Sequence, residues 1–393
     1  MQRLATGWFK GSLILALLTA ASAQTQQTQP ASTPSHTQPT LELVAQFPDR
    51  QVTGVAVSPT GRIFVCFPYW SDTYQGALAE LAPDGSLRDY PDDAWNAWRI
   101  GSELDPATHF VCVQSVIADR SGNLWVLDPA APSFQGPVPN GPKLVRIDLR
   151  TNRVAQIIPF DPQIAPPGSY LNDVRIDETR QLAYITDSGR GAIIVVDLKR
   201  QEARRVLETH PSTHAEDIEP TIAGKPLRDE QGRVPQIHAD GIALSPDGEY
   251  LYYHALTGYR LYRVPTQALR ALHDQPELLA MAVENLGPDV VCDGMLMDEQ
   301  GDLYLTALEH HAIAKRSPRG ELTAVVQDPR LRWPDTLALG PDRWLYVTVS
   351  QIHLMPRFNE GRDRVTEPWA LYRLKLPAPT ASHATRPSSD APR

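Results

Sequence analysis

Six times along the chain a short apolar run, a tight polar turn and a second run of β-branched and aromatic residues follow one another. The copies are Gly54–Gly61 with Ile63–Val65, Ser115–Gly122 with Leu124–Val126, and Asp173–Arg180 with Leu182–Ile185. They continue with Gly241–Gly248 and Tyr250–Tyr253, Gly294–Gly301 and Leu303–Leu305, and Thr336–Arg343 and Trp344–Val347. Alternating runs of this length predict strands, and Asp, Pro and Gly at fixed offsets supply the dihedrals of a hairpin. Third strands are predicted at Lys143–Leu149, Ala192–Leu198, Tyr259–Val264 and Ala312–Ser317, and fourth strands at Ala203–Glu208 and Leu322–Gln327. Only Thr266–Leu272 has a helical pattern.

Four strands per repeat at this spacing describe the blades of a propeller. The fold class expected is all-β, a six-bladed β-propeller. The sixth unit ends with Ala370–Leu376 and has no fourth strand, while Leu41–Phe47 is a spare strand ahead of the first unit. Pairing that N-terminal strand into the last blade would close the ring and remove its open edges. A two-sheet sandwich does not predict six copies of one phrase.

Composition adds an address and some exclusions. Arg3 and Lys10, the apolar run Leu13–Leu18 and the small residues Ala21 and Ala23 follow the order of a secretory signal. Residues 1–23 are expected to be cleaved and the protein exported, to a periplasmic or extracellular location. The Gln, Thr, Pro and Ser tract 24–40 and the tail 377–393 are expected to be disordered, leaving 41–376 as the propeller. No later segment has the roughly 20 apolar residues that span a bilayer. The net charge is −9 and no Lys/Arg run follows a phosphate backbone, which argues against nucleic acid as a partner. Cys66, Cys112 and Cys292 are an odd set: Cys66 and Cys112 either bridge or stay buried thiols.

The residue preceding each first strand should ring one mouth of the channel. These residues are Thr53, Gln114, Asn172, Asp240, Asp293 and Asp335. Oxygens of Asn172, Asp240, Asp293 and Asp335 converging on the axis would suit a hard divalent cation such as Ca²⁺. Alternatively, these side chains cap local backbone. The long connections Phe67–Ala77, Asp128–Pro142, His210–Ala239 and Ser350–Trp369 fall on the same face, which is where binding is usually placed. Trp70 in the first of these connections, with Tyr170, Tyr259 and Trp333 elsewhere along the chain, supplies aromatic rings, and with His254 and His310 these are the candidate ligand-binding residues for a small molecule. His238, two residues before Asp240, is the candidate general base, with Asp240 as its partner in catalysis. Nucleophile motifs of the GxSxG kind and phosphate-cradling Gly loops are absent.

The segment His238–Gly248, then Leu251–Gly258 and Leu261–Arg263, resembles the Yellow/major royal jelly protein family, in a bacterial-type member. Gln114–Val116, Leu124–Asp128, Leu171–Val174, Tyr184–Gly189, Asp293–Met295 and Trp333–Thr336 support the resemblance, which runs from about Leu41 to Leu376. It implies a secreted six-bladed propeller, with small-amine binding, dopachrome-type conversion or non-catalytic extracellular roles. More distantly the chain resembles the regucalcin/gluconolactonase propellers, in which an axial divalent cation assists lactone hydrolysis. Asn172 and Asp293 match that group's ligand positions, Asp240 stands at its central Asn position, and Thr53 stands where it has Glu. Three readings follow: a protein binding or isomerising an aromatic or amine-like molecule, a metal-dependent lactone or ester hydrolase, and an extracellular interaction scaffold.

Overall fold

The computed structural model describes residues 39–366 and 368–378. The expected signal segment, and nearly all of the two expected disordered tracts, lie outside the described residues. Six four-stranded antiparallel sheets are present, each laid out in chain order except the last. In the last sheet Glu42–Phe47 pairs with Trp369–Lys375, which continues through Trp344–Val349 to Pro334–Leu339. The N-terminal strand therefore closes the ring as expected. The first strand of each blade packs against that of the next, and Pro334–Leu339 packs back on Val55–Val57.

The apolar faces of neighbouring blades form the core. Leu144, Leu171, Ile185 and Ile194 fill the space between blades two and three, and Tyr184, Ile193, Leu251 and Tyr253 that between three and four. Cys66, Cys112 and Cys292 are free and buried, so the thiol reading holds and no Cys66–Cys112 bridge forms. Burial pushes the Cys66 thiol up to about 12, which makes it inert.

The helix expected at Thr266–Leu272 spans Thr266–Ala271, and a second one at Pro276–Met281 was not anticipated. It has Pro at its start, no side-chain cap and one buried residue, Leu279. So short an element is held by its contact with blade four rather than by any signal in its own sequence.

The channel is shaped by a device repeated in several blades. The first strands bulge at Leu171/Val174, Ala239/Ile242, Cys292/Met295 and Pro334/Leu337. A buried Thr on the second strand fastens the bulge. Thr186 accepts from the Asp173 amide at 3.2 Å and donates to the Asp240 carbonyl of the next blade at 2.6 Å. Thr348 accepts from the Thr336 amide at 3.0 Å and donates to the Thr53 carbonyl at 2.5 Å. Thr306 accepts from the amides of both Asp293 and Gly294. Each Asp-Gly pair thus sits where one blade's backbone meets the next. A Cβ at Gly241 would lie 2.4 Å from the Asp293 carbonyl oxygen, and one at Gly294 2.1 Å from that of Asp335. Glycine is required there by space, not by φ.

Candidate functional site

The long-loop mouth of the channel contains a cavity of about 240 Å³. Trp70, Phe134 and Tyr170 form one wall, Trp333, Ile352 and Phe358 another, and Asn172, Asp240 and Asp293 the floor. Of the residues expected from sequence, Trp70, Tyr170, Trp333, Asn172, Asp240 and Asp293 meet here. Gln114 lines it too.

Loop carboxylates aim the wall. Asp187, at the end of a second strand, accepts from the Tyr170 amide at 2.9 Å and from Ser169 Oγ at 2.7 Å, and is paired with Arg205 at 2.8 Å. Asp128, its counterpart one blade earlier, accepts from the Val111, Cys112 and Ala130 amides and is paired with buried Lys143. Held in this way, the Tyr170 hydroxyl donates to Gln114 Oε1 and accepts from Trp70 Nε1, both at 2.8 Å. Phe134 stacks against both Trp70 and Tyr170, with ring centroids 4.9 and 5.7 Å away.

The floor is electrostatically unusual. Asp173, Asp240, Asp293 and Asp335 are all buried, and only Asp173 has a cation, Arg175 at 3.6 Å. Burial, followed by the neighbouring Asp293, raises Asp240 far above the usual carboxylate range. Burial raises Asp293 to about 7, opposed by the Trp333 indole, whose Nε1 donates to Asp293 Oδ2 at 2.6 Å. Asp335 is raised by burial and then by Asp293; its Oδ1 accepts from the Thr336 hydroxyl at 3.3 Å. Asp293 disfavours the charged form of Asp240 across the floor, so the two carboxyls titrate as a pair and do not ionise together readily.

The donors make a poor seat for the axial cation that the gluconolactonase resemblance implies. Among the described residues no three His, Cys, Asp or Glu side chains converge as a metal site requires. Thr53, in the place of Glu, turns its hydroxyl to the Gln114 carbonyl, and Asp293 Oδ2 is taken by Trp333. Asp335 lies behind the floor and does not line the cavity.

Four other expected residues do not line it either. His238 lies against His214, its Nδ1 accepting from the Ala215 amide at 3.0 Å, so only its backbone neighbours Gln236 and Ile237 reach the cavity. His254 is fully buried in blade four, where burial lowers its basicity. Tyr259 turns its hydroxyl to Glu309, and His310 is exposed on the rim. Sequence reasoning missed Phe134 and Arg357. The only available signal was Arg357 standing next to Phe358 in the long Ser350–Trp369 connection.

The profile of the major royal jelly protein family matches residues 111–358. The chain belongs to that family. The matched span holds Gln114, Phe134, Tyr170, Asn172, Asp240, Asp293, Trp333 and Arg357, and leaves out blade one with Trp70. Major royal jelly protein 3 of Apis mellifera is 24% identical over 239 residues, 58% of this chain and 41% of that protein. Major royal jelly protein 2 of the same organism is 30% identical over 187 residues, 46% of this chain and 38% of that protein. The matches thus span less than two thirds of these relatives' length. Among solved structures, a luciferin-regenerating enzyme superimposes with a TM-score of 0.52 at 14% identity, covering 86% of this chain and 95% of that one. A gluconolactonase of Xanthomonas campestris does so with a TM-score of 0.50 at 12% identity, covering 86% and 89%. At these identities the likeness is one of fold.

Proposed function

We propose that the channel mouth is the active site of a hydrolase for small lactones or esters. The observation that carries this is the Asp240–Asp293 pair, two buried carboxyls that do not ionise together readily, placed together on the floor of an aromatic-walled cavity. A carboxylic acid beside a carboxylate supplies both halves of acid–base catalysis. Asp240 donates a hydrogen bond to the substrate carbonyl oxygen, and Asp293 takes a proton from water. The water oxygen bonds to the carbonyl carbon, the ring or ester C–O bond then breaks, and the leaving alkoxide takes up a proton from the pair. The products are a carboxylic acid and an alcohol, joined in one hydroxy acid when the substrate is a lactone. The cavity is smaller than the ~300 Å³ lower limit for drug-sized ligands, so the substrate is small.

The shared fold with a gluconolactonase is consistent with this chemistry but does not carry it. An exported site of action rests on the pattern Arg3, Leu13–Leu18, Ala21 and Ala23. One observation supports a second reading, binding or isomerisation of an aromatic amine: the Trp70–Phe134–Tyr170 wall above the acidic floor.

The test is a panel of γ- and δ-lactones and aryl esters with the wild type, Asp240→Asn and Asp293→Asn. Hydrolysis by the wild type, cut at least ~100-fold in both variants, is expected for an acid–base pair. A wild type that hydrolyses none of the panel but binds aryl amines would move the assignment to the second reading.

A further inference from the structure

Above the acidic floor, the rim carries a cation that no ion pair among the described residues holds. Arg357 lies on the loop after the second strand of blade six, and its guanidinium sits over Phe134 at 4.2 Å and Phe358 at 5.1 Å from the ring centroids. Among the described residues it forms no ion pair or hydrogen bond through its side chain. Asp229 and Glu230 are its nearest carboxylates by influence, and Asp229 is already committed to Arg233 at 2.9 Å. The loop is fixed: Asn359 Nδ2 donates to the His353 and Met355 carbonyls at 2.8 and 2.9 Å, and the Arg364 amide to Leu354 at 3.0 Å. Arg357 and the stacked faces of Phe134 and Tyr170 line the same cavity as Asp240 and Asp293.

We infer that this site selects a planar aromatic molecule bearing a carboxylate, with Arg357 binding the anion at the rim while the ring lies between the aromatic walls of the cavity. Its contact with the two rings holds the guanidinium at the rim, and its planar N–H fork suits a two-pronged contact with a carboxylate. A cationic ligand would meet like charge at the rim, which counts against the amine reading. This inference deepens the hydrolase assignment by naming its substrate class, aromatic esters or lactones with a separate carboxylate. It is nonetheless tested by binding alone.

The experiment follows quenching of tryptophan fluorescence, to which Trp70 and Trp333 contribute, on titration with indole-3-carboxylate and with its neutral isostere indole-3-carboxamide. The wild type should prefer the carboxylate by about tenfold, 1.4 kcal/mol. Arg357→Gln should bring the carboxylate's affinity down to that of the carboxamide, and 0.5 M salt should weaken only the carboxylate. Equal binding of the two probes, no binding of either, or a preference that survives Arg357→Gln would overturn the inference. Because neither probe is hydrolysed, a preserved carboxylate preference with no esterase activity would remove the hydrolase assignment and keep this one.

Discussion

At the residue scale, the floor stores protons that the unfolded chain would have released. Asp ordinarily titrates near ~3.9, whereas burial lifts Asp293 to about 7 and raises Asp240 and Asp335 well above the ordinary value too. A carboxyl with a raised folded value gives its stabilisation in full below the unfolded value and loses it as pH rises through the folded one. Tm should therefore fall from pH 5 to pH 8, and the fall should be shallower in Asp293→Asn, as differential scanning calorimetry would read. Trp333 sets which partner ionises first, since its indole N–H favours the charged form of Asp293. It is fully buried and held at φ 62°, a left-handed conformation uncommon for so bulky a residue. Trp333→Phe removes a hydrogen bond to a charged group worth ~1.5–3 kcal/mol. The rise of the pH–rate profile should accordingly move up by about one to two units. An unmoved profile would show that the indole does not tune the pair.

The blades were legible at the element scale because strands buried on both faces between neighbouring blades force short apolar runs, and a tight hairpin forces Gly, Asp or Pro. Both constraints are local. The Asp-Gly pairs at Asp240–Gly241 and Asp293–Gly294 stood out in the sequence, but their cause did not, since it is the neighbouring blade's carbonyl. For the same reason His238 misled: proximity in sequence to Asp240 puts its backbone beside the channel and its side chain against His214. Arg357 and Phe134 went unseen because loop side chains meet only after four blades have brought them round the ring. Their own spacing, 223 residues apart, holds no periodicity to read. Gly294→Ala tests the blade-contact argument directly. Its Cβ would press on backbone rather than on a flexible side chain, so a loss of about 1–3 kcal/mol and a lowered Tm are expected. Unchanged stability would mean that the blades can part at no cost.

Taken as a whole molecule, the propeller has two mouths with different characters. The mouth on the short-turn side opens into a cavity of about 820 Å³ lined by hairpin residues such as Pro59, Asp119, Pro246, Glu299 and Asp342. Arg175 reaches across the channel from blade three to donate to the Met295 carbonyl of blade five, and lines that larger cavity beneath the acidic floor. The smaller cavity is the one that combines aromatic walls, a guanidinium and a buried carboxyl pair, and the proposed chemistry is assigned there on composition rather than size. The six sheets fix the architecture, and the proposed hydrolase activity is argued from this mouth alone.

The most direct test is the pH–rate profile for hydrolysis of an aryl lactone by protein dialysed against a chelator. Activity should survive dialysis, rise through about pH 7 as Asp293 ionises, fall again as Asp240 loses its proton, and disappear in Asp240→Asn. Activity that vanishes on dialysis and returns with Ca²⁺, or a wild type with no hydrolysis at any pH, would contradict the assignment of the carboxyl pair.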